Sequence, residues 1–172
     1  MSRSLQEVVL SPGKWPLTVY VAASWKHQVA VELLTDELRR RGCRVLSFVE
    51  NNHGEQKGHA ALAEDGRPIP FDEWVWSDRG FRSFGYDTGG ATGADLVIYL
   101  GPSGTDAWAE VGAAWATGVP IVGLWCKGEQ AGLMRRMVTW TQDVHELLGA
   151  LREAEDTFSP SAVQPPVGGT GA

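Results

Sequence analysis

The segment GPSGTDAWAEVGAAWATGVPIVGLW, residues 101–125, sets one carboxylate, Glu110, among small and apolar residues in a helical pattern. Ala107, Ala113 and Ala114 stand one turn from it and Gly112 is close by, which leaves room for a ligand. A carboxylate on a rigid helix can act as a nucleophile or steady a positive charge that develops on a substrate. The alternative reading is an ordinary solvated helix glutamate. Just upstream, Ser103 and Asp106 have the spacing of a capping box, in which the hydroxyl accepts from a first-turn amide and the acid reaches back. On that reading both side chains serve the helix end.

Other chemistries find less support. There is no GxGxxG after the first apolar run and no GxxxxGK[ST], and neither Ser24 nor Ser103 sits in G-x-S-x-G. Cys43 and Cys126 lack metal-ligand spacing and are expected reduced and buried, and His27 has no Cys or His partner. No metal and no cofactor is expected. Lys26, His27, Arg79 and Arg82 would hold a phosphate only if they converged in space; singly, each reads as surface. Trp74 and Trp76 alternate in DEWVW, so an extended loop would turn both the same way, either to stack on a nucleobase or to plug the loop onto the core. Trp25, beside the first strand's end, is placed to line a pocket. Trp108 and Trp115 share a helix face with Gly112 and read as packing or an oligomer contact.

Positioning elements follow from periodicity. LTVYVAAS (17–24) is a strand, HQVAVELLTDELRRRG an amphipathic helix ending at Gly42, and CRVLSFV a second strand, together a βαβ unit. Residues 50–80 form a polar, Gly- and Pro-containing excursion with little regular structure apart from the aromatic patch. DLVIYLG (95–101), PIVGLWC (120–126) and MVTWT (137–141) are further strands, with helices expected at 105–117, 128–136 and in QDVHELLGALREAE. The near-continuous apolar strands fit a sheet covered on both faces. The expected architecture is a three-layer, doubly wound α/β domain of the Rossmann or flavodoxin type, with a five-stranded parallel sheet. Ligands bind such sheets at the carboxyl ends of the strands, where strand order reverses. AASWKHQ, GPSGTDAWAE and CKGEQ leave strands at that rim.

The expected organisation is an N-terminal extension (1–16), the α/β domain (17–155) and a Pro-, Gly- and Ser-rich disordered tail (156–172). Fifteen Lys and Arg against 21 Asp and Glu give a formal charge of −6, which argues against a grip on nucleic acid built from phosphate neutralisation. No run approaches a signal peptide or the ~20 apolar residues of a membrane helix, so no membrane partner and a cytoplasmic location are expected.

DLVIYLGPSGTDAWAEVGAAWATGVPIVGL, with VYVAAS and Asp87 in RSFGYDTGGATGADL, resembles the nucleoside 2-deoxyribosyltransferase superfamily, which includes nucleotide N-glycosidases. The resemblance spans about half of the chain. It implies that Glu110 is the nucleophile or oxocarbenium stabiliser and Asp87 the acid that holds or protonates the departing base. It implies that Ala22, Ala23 and Ser24 on the first rim turn meet sugar or phosphate; Trp25 beside that turn, and Ser103, Gly104, Thr105 and Asp106 on the second, are further candidate binding residues. Arg82 and Trp76 complete the candidate binding set. The chemistry suits these types: cleaving an N-glycosidic bond makes the sugar cationic, which a carboxylate can meet, and a second acid neutralises the base. This chain departs from the family where it has Gly104 in place of a loop Asp six residues before the glutamate, and Gly85, Gly89, Gly90 and Gly93 make the Asp87 segment poor in helix propensity, so that a loop is equally open. The resemblance further implies a nucleoside or nucleotide ligand and a homodimer or larger homo-oligomer. A non-catalytic nucleotide sensor on the same fold is the competing reading.

Overall fold

The computed structural model describes residues 3–51, 66–130 and 132–159. Its strands β1 (Thr18–Ala22), β2 (Arg44–Ser47), β3 (Leu96–Leu100), β4 (Ile121–Leu124) and β5 (Thr139–Thr141) pair in the order β2-β1-β3-β4-β5, every pair parallel. This is the five-stranded α/β sheet that the apolar runs specify. Alternation along the strands divides the core in two. Val19, Val21, Leu96, Ile98, Val122 and Leu124 meet the helices α2 (Gln28–Arg40) and α7 (Val144–Phe158) on one face. Tyr20, Ala22, Val97, Tyr99 and Ile121 face α5 (Asp78–Gly93) and α6 (Thr105–Ala116) on the other. All five residues of β3 are buried, as befits a central strand covered on both sides.

The N-terminal residues are part of this packing. α1 (Leu5–Leu10) buries Leu5, Val8 and Val9 against the core shared with α7, and Ser4 with Glu7 forms a capping box at its start. Asp95 has the structural role its position suggests: Oδ2 accepts from the Thr18 amide at 2.8 Å, and Oδ1 pairs with Lys14 Nζ at 2.8 Å.

Several local expectations are corrected. The excursion before β3 holds more regular structure than its composition suggests. Phe48–Asn51 (α3) and Phe71–Val75 (α4) are short helices, and residues 52–65 lie outside the described part. The Gly-rich segment around Asp87 is not a loop but the 16-residue α5, because its spacing of Gly80, Ser83, Asp87, Gly90 and Ala91 gives one inward face of small residues that fits closely on the sheet. Ser77 caps it by accepting from the Gly80 amide, and the Tyr86 hydroxyl accepts from the Ser47 amide on β2. The helix expected at 128–136 shrinks to a 3₁₀ turn, Leu133–Met137; Gly128, at φ 97°, stands where no α-helix can run. Of the two free cysteines Cys43 is buried, but Cys126 is exposed just beyond β4, where the apolar run has already left the sheet. α7 reaches Phe158, and the expected tail beyond Ser159 lies outside the described residues.

Gly90 fixes the distance between α5 and the sheet, since a Cβ there would lie 2.6 Å from the Tyr20 ring, whereas one at Gly112 of α6 would meet open space. Gly112→Ala should therefore stabilise the fold by roughly 0.5–1 kcal/mol through helix propensity. Gly90→Ala should destabilise it by roughly 1–3 kcal/mol through overpacking. Urea unfolding of both variants checks this; equal effects of the same sign would contradict the close packing.

Candidate active site

The chain runs from β1 to β2 on one side and returns to β3 on the other, so strand order reverses between β1 and β3. The carboxyl ends of these two strands flank the crevice that such sheets offer a ligand. Side chains and backbone stitch the two rim turns together. The Ser24 amide donates to Ser103 Oγ at 2.8 Å, and that hydroxyl donates to the Leu100 carbonyl at 2.6 Å. The His27 ring N–H donates to the Pro102 carbonyl at 2.7 Å. Ser103 is thereby corrected as a helix cap: Gly104 occupies that position, and the first turn of α6 has no side-chain cap. The Ser103 hydroxyl is engaged in holding the rim instead.

Two turns into this system, on the α5 side of α6, lies a cluster of acids. Glu110 is 9% exposed, and its Oε2 is buried with no hydrogen-bond partner. Across from it on the inner face of α5 stands Asp87, whose Oδ1 accepts from the Tyr20 hydroxyl at 3.2 Å. Tyr20 rises from β1, so strand, α5 and α6 each contribute one polar group to the same spot. Burial, and then the charge of Asp87, push Glu110 up to about 8, with the Tyr20 hydroxyl acting in the opposite direction. Burial pushes Asp87 up to about 6, again opposed by Tyr20. The exposed Asp106, one turn before Glu110, raises both slightly. The Tyr20 phenol itself, buried between carboxylates, is held well above its ordinary range and stays a donor. Such a pair cannot readily carry two negative charges, so near neutral pH it shares one proton.

A cavity of about 590 Å³ opens beside the start of α6, on the side facing the 3₁₀ turn Leu133–Met137. Lys26, Ser103, Gly104, Thr105, Trp108 and Arg135 are among its lining residues. Glu110, Asp87 and Tyr20 are not. The Arg135 guanidinium lies 3.7 Å from the centre of the Trp125 ring and 4.7 Å from that of Trp140, at the edge of an aromatic cluster that includes Tyr99 and Trp108. Tyr99 also receives the Ser103 amide at 3.0 Å and donates to Glu129 at 2.9 Å, tying the α6 loop to the loop after β4.

The candidate residues thus separate into groups. Glu110, Asp87 and Asp106 come together; Ser24 and Ser103 bond directly; Gly104 and Thr105 border the cavity with Lys26. Ala23 and Trp25 pack against the core, Trp25 edge-on to Phe48 with ring centres 5.0 Å apart. Trp76 is 73% exposed at the end of α4, where its ring meets Phe81 rather than the acids, and Arg82 is exposed on α5. The pairing of Trp74 with Trp76 on an extended loop is corrected by the helix. Sequence reading missed Tyr20. The available signal was a phenol in an aliphatic strand, whose hydroxyl must find a partner once buried.

Among the described residues no group of His, Cys, Asp and Glu could hold a metal ion, and no helix is long and apolar enough to cross a membrane. No family model matches the chain, and no curated protein matches it. Among solved structures the fold is similar to that of a 2-deoxyribosyltransferase from the psychrotolerant bacterium Bacillus psychrosaccharolyticus, described as a biocatalyst for nucleoside synthesis, with a TM-score of 0.57. The match covers 76% of this chain and 89% of that one at 19% identity, so the fold is what the two share.

Because folding raises the Glu110 pKa from 4.5 to about 8, the folded chain keeps a proton that the unfolded chain releases, and stability falls as pH rises through that window. Glu110→Gln should relieve this. Its stability relative to the parent should increase between about pH 5 and pH 8 by on the order of 2 kcal/mol. Thermal unfolding across that range reads the effect, and a pH-independent difference would contradict a buried, proton-holding glutamate.

Proposed function

We propose that the protein processes N-glycosides of nucleosides or nucleotides, by transfer or hydrolysis, with Glu110 as nucleophile or oxocarbenium stabiliser and Asp87 as the acid. The observation that carries this reading is the unpartnered, buried oxygen of Glu110 facing Asp87 across the Tyr20 hydroxyl. Burial raises both acids, so the pair holds a proton near neutral pH. Chemistry requires that proton on Asp87 and the charge on Glu110, and a sugar approaching cationic character at its anomeric carbon favours that arrangement by stabilising the ionised Glu110. The Tyr20 hydroxyl, close to both acids, orients them. The bond from the anomeric carbon to the base then breaks, the proton on Asp87 goes to the leaving base, and a Glu110 oxygen bonds to or shields the carbon. Attack by water or a second base at that carbon then frees Glu110 as a carboxylate, and the proton that the attacking group loses returns to Asp87. The rim turns 22–25 and 102–106 supply donors for sugar hydroxyls or phosphate, helped by the uncapped first turn of α6. Its working form is a cytoplasmic homo-oligomer.

A second reading, a nucleotide sensor without turnover, is favoured by one observation: the cavity at the start of α6 does not include the acids in its wall. Incubation with a panel of nucleosides, nucleotides and NAD, following base release, separates the two. Catalysis predicts release with a bell-shaped pH profile whose limbs lie near 6 and 8, since below the lower both acids are protonated and above the upper neither is. Asp87→Asn should cost roughly 10²–10⁴-fold and Glu110→Gln at least as much. Saturable binding with no release by the native protein would establish the sensor instead.

A further inference from the structure

The cavity beside α6 carries more charge than the chemistry above uses. Lys26 reaches its wall from the 3₁₀ turn Trp25–His27, and Arg135 from the turn Leu133–Met137. Among the described residues neither side chain has an ion pair or a hydrogen bond to a protein acceptor, whereas the neighbouring His27 ring is engaged with the Pro102 carbonyl. Arg135 is the better held of the two cations: its guanidinium is stacked on Trp125 and Trp140, and its Nε is buried with no partner. Stacking uses the faces of a guanidinium and leaves its in-plane N–H groups to donate, the arrangement that suits the oxygens of a phosphate. Gly104 and Thr105 bring the uncapped first turn of α6 to the same cavity. One carboxylate, Glu129, shares the wall, where one of its oxygens accepts from the Tyr99 hydroxyl.

We propose that the cavity receives the second phosphate, and the sugar beyond it, of a nucleoside 5′-diphosphate sugar whose N-glycosidic bond lies at Glu110; the placing of that bond rests on the glycoside reading. Trp108, on the cavity wall, and Glu110 are two residues apart, which is about 200° round the helix. The acids and the cavity therefore lie on opposite flanks of α6, with its open N-terminus between them. Glu110 is the sixth residue of α6, about 7.5 Å along the axis from Thr105, and a helix side chain leans back toward the start. That span matches a ribose with its 5′ phosphate. A nucleoside stops short of the helix start, and a monophosphate ends there. Only a second phosphate passes on to Lys26 and Arg135, and about 590 Å³ leaves room behind it for a sugar. The charges agree with this order. Two cations and a helix N-terminus meet a diphosphate, while the remaining oxygen of Glu129 suits a sugar hydroxyl and would repel a third phosphate.

Isothermal titration calorimetry of the full chain tests the subsite. Inorganic pyrophosphate should bind the native protein at low salt, and Arg135→Ala and Lys26→Gln should each weaken it by on the order of 10-fold or more. Lys26 is exposed, so its variant keeps the test decisive should the loss of Arg135 from the two indoles unsettle the fold, which circular dichroism reads. In Glu110→Gln, which lacks the nucleophile, the diphosphate sugars of adenosine, guanosine and uridine are then compared with the matching monophosphates. At least one base series should favour the diphosphate sugar by on the order of 10-fold, and adding Lys26→Gln should remove that preference. No binding of pyrophosphate, binding that both variants leave intact, or no series with the preference would overturn the proposal. None of these readouts follows base release. Release from nucleosides with no preference for a diphosphate would sink the subsite and leave the glycoside reading standing, and diphosphate binding by a native protein that releases no base would do the opposite.

Discussion

A glutamate taken out of water with one oxygen unpaired carries a desolvation cost, and Tyr20 and Asp87 are arranged around it. Its neighbours explain how the cost is contained. Asp87 makes a second charge unfavourable, and the Tyr20 hydroxyl gives the pair a fixed dipole, so the site holds one proton between two carboxyl groups. An apolar replacement at 110 would remove the penalty outright. Stored unfavourable energy of this kind is typical of functional sites, where ordinary packing logic is broken locally.

The sheet topology makes the cluster possible. Reversal of strand order at β1 places Tyr20 under both α5 and α6, and only because Gly90 carries no side chain can α5 settle onto that ring. The rim above is rigid for a related reason. Ser103 is bonded through its amide and hydroxyl to Tyr99, Leu100 and Ser24, so the loop leading into α6 cannot shift without dragging the turn after β1. The acids are therefore held by elements, and the adjoining cavity by loops tied to those elements.

Much of the fold was legible in the sequence, because apolar strand runs such as LVIYL and the period of VAVELLTDEL are local signals that the tertiary structure confirms. The charge at Glu110 was legible for the same reason, a lone carboxylate among alanines. What stayed hidden depended on long-range packing. Intrinsic propensity argues against a helix through Gly85, Gly89, Gly90 and Gly93, and the close fit of its inner face on Tyr20 overrides that preference. Ser103 and Asp106 had the spacing of a capping box, but the nearer claim of the Ser24 amide decided the serine. Nothing local marked Tyr20 as a partner of two acids that lie 67 and 90 residues further along the chain.

Titrating the Glu110 side-chain carboxyl by carbon-13 NMR, in the native protein and in Asp87→Asn, addresses the shared-proton site most directly. The account predicts a midpoint near 8 in the native protein and a lower one, still above the ordinary carboxylate range because burial remains, once the charge at 87 is removed. A midpoint at the ordinary glutamate value of 4.5 that ignores the substitution would contradict it.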